Sequence, residues 1–188
     1  MVFLLFFVAS LGLLWQTFNS HSWSDKLLAC AIFLMCLEQG RMALVDLDNI
    51  KLVKQKYTDS RIDTFSTITI ITIMIELLGF YSAFLDLSWG GIVVIISLIF
   101  FNICTKIKLH PSENIMIEPW GISQRLPILL TNGLALILIS LRMFEVFTLL
   151  ISSILLGLTI AYGVIKYGFM VNTLISNLRN SLVFRDKL

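Results

Sequence analysis

The sequence predicts an all-α integral membrane protein, a polytopic bundle of about six transmembrane helices with both termini on the cytoplasmic side. Three observations predict it. Of 188 residues, 57% are hydrophobic and 14% charged, with a mean hydropathy of +0.90, well outside the balance of a soluble domain. Apolar runs of spanning length recur along the chain, where about 20 such residues cross ~30 Å of hydrocarbon. The basic residues collect in alternate connections, as the charge rule for cytoplasmic loops requires.

The expected spans are 2–18, 27–46, 62–85, 89–106, 126–141 and 146–166, within one membrane domain of residues 1–167. The first, closed by Trp15 and the polar run Asn19 to Ser22, has no basic leader and no small-residue cleavage site. It reads as a retained helix rather than a signal peptide. The second carries Glu38 and Arg41 within an otherwise apolar run, and the stretch from Asp48 to Arg61 after it belongs in water or headgroups. The third is rich in β-branched residues, but at that length and hydropathy helix is the only open-ended solution in lipid. Asp86 and Ser88 make a short turn into the fourth span, so spans three and four form an antiparallel hairpin in which Gly90 and Gly91 permit close approach.

Lys106 to Arg125 is the longest connection and holds two of the three prolines. With Ile115, Met116, Ile117 and Trp120 it is expected to lie on the membrane surface. Pro127 falls in the first turn of the fifth span, where its missing N–H is harmless, and Arg142 and Glu145 form the turn before the sixth. Residues 168–188 repeat apolar positions at helical spacing, from Met170 and Leu174 to Leu182, and read as an amphipathic tail on the cytoplasmic side.

With six spans, one side receives Lys51, Lys54, Lys56, Arg61, Lys106, Lys108, Arg125, Lys166, Arg179, Arg185 and Lys187. The other receives Lys26 and Arg142. That contrast favours the N-in and C-in orientation, in a bacterial inner membrane or an equivalent organelle or thylakoid membrane.

Intramembrane charge is expensive, so Glu38, Arg41 and Glu76 are the first candidates for function. Glu38 and Arg41 are three apart and meet on one helix face, roughly 8–13 Å from the cytoplasmic edge at ~1.5 Å per residue. A self-satisfied ion pair is the simpler reading; a site for an ion, proton or polar headgroup is the functional one. Glu76 has no basic residue within a turn and lies near mid-membrane, about 14 Å from the outer end of its helix. It reads as a proton carrier, a ligand-orienting group, or a helix-to-helix hydrogen bonder. Thr64, Thr67, Thr69 and Thr72, with Asn102 and Asn132, either line a polar path or bond between helices, the latter worth ~0.6 kcal/mol each. Ser153, Gly157 and Ala161, four apart, form a small-residue face for close helix approach.

His110 and Glu113 are spaced for two metal ligands but lack further donors, and a surface loop is the better reading; no metal site is expected. With His21 and His110 both outside the spans, an intramembrane bis-histidine haem is excluded, and no cofactor is implied. Cys30, Cys36 and Cys104 read as small buried hydrophobes. G-x-S-x-G, H-E-x-x-H and the phosphate-binding G-x-x-x-x-G-K-S/T are all absent, so a catalytic role is not expected. Two functions follow, with a third, a membrane enzyme acting on lipid, requiring Glu38, Arg41 or the loop from His110 to Glu118 to converge on a pocket at headgroup depth. The first is an accessory, assembly or structural subunit that contacts other membrane proteins or a second copy through the sixth span and the tail, with no nucleic-acid partner. The alternative is a small solute-binding or proton-coupled transport component using Glu76 and the Glu38/Arg41 pair.

Overall fold

Six helices follow the apolar runs, and all six are long and apolar enough to cross a membrane, the make-up of an integral membrane protein. The computed structural model describes residues 1–110 and 116–185, with side-chain surroundings for 1–109 and 117–168. The helices are α1 (Val2–Asn19), α2 (Trp23–Lys56), α3 (Ser60–Ser82), α4 (Leu87–Cys104), α5 (Ile122–Met143) and α6 (Thr148–Arg185). A short hairpin, β1 (Ile107–His110) with β2 (Met116–Pro119), separates α4 from α5.

Local chemistry sets the helix starts. Ser22 accepts a hydrogen bond from the Ser24 N–H, and Asp59 from that of Arg61. Asp86 accepts two, from Ser88 at 2.8 Å and Trp89 at 2.9 Å, and so turns the chain sharply from α3 into α4. Asp86→Ala is expected to cost ~1 kcal/mol, read as a lower unfolding midpoint in detergent at unchanged helix content. Outside the apolar runs, the Arg61 guanidinium hydrogen-bonded to Asp59 holds that carboxyl below its usual range.

α2 is the hub: it packs on α1, α3, α4 and α6 and touches β1, while α4 lies between α3 and α5. The core runs through Phe6 and Leu13 of α1, Leu28, Ile32 and Cys36 of α2, Phe80 of α3, Val94 of α4, Ile139 of α5 and Ile151 of α6. Lipid offers little hydrophobic drive between helices, so close backbone approach matters more than in water. It is greatest where α3 meets α4: a Cβ built on Gly90 would stand 2.4 Å from the Ala83 nitrogen, and one on Gly79 would stand 3.0 Å from the Gly90 carbonyl oxygen.

Four features depart from the sequence expectation. α2 does not end near Asp46 but continues to Lys56, because Asn49, Ile50 and Val53 are buried on one face of the extension. α5 begins at Ile122, which puts Pro127 in the second turn rather than the first, so the Ser123 carbonyl loses its helical N–H. Arg142 lies in the last turn of α5, its side chain only 10% exposed. It donates to Asp25, Ser88 and Ser152, and Ser24 bonds Ser152 at 3.0 Å, so four helices are latched at that end. The connection from Lys106 is an antiparallel hairpin rather than an irregular loop. Lys106, Ile107, Lys108 and Leu109 alternate polar and apolar with the pleat, and Ile107 and Leu109 bury against Ile50, Val53, Ile62 and Phe65.

The turn from α5 into α6 is tight, with Glu145 and Phe147 at positive φ. α6 then runs to Arg185, its spanning part ending at Gly168. The amphipathic face expected of 168–188, and the His110/Glu113 pair, lie outside the described side chains.

Candidate functional site

α5 packs on α4 and α6 packs on α2, but α5 and α6 touch each other little. Between them lies a cavity of about 940 Å³, floored by α2, α3 and α4. Its wall is mostly aliphatic, including Ile32, Ile73, Val94, Ile95, Ala135 and Leu155. The polar exceptions come from every helix but α1: Glu38, Gln39, Arg41 and Asp46; Thr69, Thr72 and Glu76; Asn102; Thr131 and Asn132; Thr159, Tyr162 and Tyr167. All four candidates from the sequence, Glu38, Arg41, Glu76 and Asn132, therefore line one space.

Their surroundings differ. Glu38 is satisfied by three partners: Arg41 at 2.8 and 3.2 Å, the Lys166 ammonium at 2.5 Å and the Tyr167 hydroxyl at 2.5 Å. Tyr167 also lies under the Arg41 guanidinium, 5.7 Å from ring centroid to carbon, and Tyr162 accepts from Lys166 at 3.1 Å. This cluster ties α2 to α6 by charge-assisted hydrogen bonds. It extends the intrahelical pair read from the sequence to a second helix.

Glu76 is 3% exposed and has neither a hydrogen-bond nor an ion-pair partner among the described residues. The charged group that acts on it is Asp46, of like sign, which in turn feels Lys166 and Arg41. One turn before Glu76, the Thr72 hydroxyl is buried and makes no hydrogen bond. Other threonines in the spans return theirs to the carbonyl four residues back: Thr69 to Phe65 at 2.9 Å, Thr131 to Pro127 at 2.9 Å. Asn102 spends its N–H on Leu98 at 2.8 Å, and its side-chain oxygen is likewise buried without a partner. Such groups cost about 1–3 kcal/mol each when left unmade, which marks the cavity as a place built to receive hydrogen bonds.

The remaining predictions divide. Thr64 and Thr67 are exposed, bonded to Ser60 and Asp63, and take no part in the cavity. Ser153, Gly157 and Ala161 are exposed on α6, away from the cavity, and a Cβ on Gly157 meets nothing within 4 Å. No group of three or more potential metal ligands occurs among the described residues. Sequence reasoning missed Asp46, Lys166 and Tyr167 as site residues. Glu38, Met42 and Asp46 repeat at four-residue spacing, and Met42 sulfur receives both Arg41 and Lys166, so part of that signal was on the page.

Fold and site together define a six-helix membrane bundle with a polar pocket between diverging helices. Comparisons with protein families, curated proteins and solved structures give no match.

Proposed function

We propose that this chain is a small solute-binding or proton-coupled transport component of its membrane. One observation carries the reading: polar side chains from five helices converge on one largely apolar cavity, and its most buried acid, Glu76, has no partner among the described residues. Convergent polar groups in an apolar pocket are the usual form of a ligand site. Glu38 and Arg41 hold the wall between α2 and α6, Glu76 and Asn132 face the solute, and no step of catalysis is assigned. The unequal basic residues support an N-in, C-in orientation in a bacterial inner membrane or an organelle equivalent.

The exposed Ser153, Gly157 and Ala161 face favours a second reading, an accessory or assembly subunit that docks another membrane protein or a second copy there. Purification from native membranes into lipid nanodiscs, followed by mass spectrometry of what is retained, separates the two. The first reading expects a co-purifying small molecule that is lost in Ala135→Phe, a substitution that fills the cavity wall while the bundle still folds. A stoichiometric protein partner retained by wild type and variant alike, with no small molecule, would overturn it in favour of the second.

A further inference from the structure

Resting on the solute-binding reading, we propose that the occupant of the cavity is a cationic amphiphile, a protonated amine on an apolar body, whose ammonium is received by Glu76 and the Thr72 hydroxyl. The balance of charge and of hydrogen-bonding capacity both point there. Three acids, Glu38, Asp46 and Glu76, face two bases, Arg41 and Lys166, and both bases already donate to Glu38. An anionic head would have to displace Glu38 to reach a cation. A cationic head would meet Glu76, which nothing among the described residues neutralises, one turn from a buried hydroxyl lining the same space.

The unpaired buried atoms that line the cavity point the same way; a third, Gln16 Oε1, lies outside it. Asn102 Oδ1 is an acceptor only and calls for a donor, and the unpaired Thr72 Oγ1 can accept from one as well. An ammonium carries three and no acceptor. The aliphatic wall of Ile32, Ile73, Ile95, Ala135 and Leu155 takes the apolar body.

Trp120 lines the cavity and supplies the readout once Trp15, Trp23 and Trp89 are changed to Phe. Octylammonium, octan-1-ol and octanoate, which share a chain and differ in the head, are titrated against this protein in nanodiscs, with empty discs as the partition control. Octylammonium is expected to bind about tenfold tighter than the other two, the scale of one charge-assisted contact. Glu76→Gln is expected to remove that preference and leave octan-1-ol binding unchanged. Octanoate binding as tightly as octylammonium, or the preference surviving Glu76→Gln, would overturn the ammonium assignment while leaving the cavity a solute site. If none of the three perturbs Trp120 beyond the empty-disc control, the solute-binding reading itself falls. Should Glu76→Gln fail to fold, the near-isosteric Thr72→Val asks the same question: a preference reduced severalfold supports the assignment, and an unchanged one overturns it.

Discussion

Arg125→Met is expected to destabilise the protein by about 3 kcal/mol or more, seen as a large fall in the unfolding midpoint in detergent or nanodiscs. Arg125 is 4% exposed, and its guanidinium is spent on backbone carbonyls. It donates to Asn102 and Thr105, at the end of α4, and reaches Gly121 at 3.3 Å, with Trp120 stacked 5.3 Å away. The last carbonyls of a helix have no partner within it, and a cation placed there is favoured by the helix dipole as well. Methionine fills the volume but leaves those carbonyls buried and unpaired, at about 1–3 kcal/mol each. Arg125→Lys keeps the charge without the planar fork and is expected to fall between. A midpoint unchanged in Arg125→Met would mean that water caps α4 instead.

Gly90→Leu is expected to be of similar severity for a steric reason. At 2.4 Å from the Ala83 nitrogen and 2.5 Å from its Cα, a Cβ on Gly90 strikes main chain, which cannot rotate aside. The α3–α4 hairpin would have to open by more than an ångström, and overpacking of this kind costs ~1–3 kcal/mol or more. Gly157→Ala provides the contrast, since nothing lies within 4 Å of its added methyl. Relieved of glycine's backbone freedom, that helix is expected to gain roughly 0.5–1 kcal/mol. Equal effects at the two positions would show that helix propensity, not close approach, sets the response to both.

The helical bundle was legible because length and hydropathy leave a chain few options in lipid, and the β-branched Ile68 to Ile75 region of α3 forms helix for that reason alone. Glu38 and Arg41 were legible too, since three-residue spacing makes neighbours on any helix. Lys166 and Tyr167 join them only because α6 packs on α2, a fact about tertiary arrangement that no local spacing encodes. Arg125 and Arg142 looked like loop charges of the kind that orient a membrane protein. The structure spends both on closing helix ends, one on carbonyls and one on Asp25 and two serines. The four-residue strands were short enough to pass for a loop, although the alternation of Lys106, Ile107, Lys108 and Leu109 carried the period of a strand.

That hairpin stoppers the seam between the end of α2 and the start of α3. Unseating Ile107 and Leu109 from between α2 and α3 would return two aliphatic side chains to water at about 1.5–3 kcal/mol each, leaving the unstoppered state populated at roughly 1% or below. The sparse seam between α5 and α6, by contrast, borders the cavity that holds Glu76.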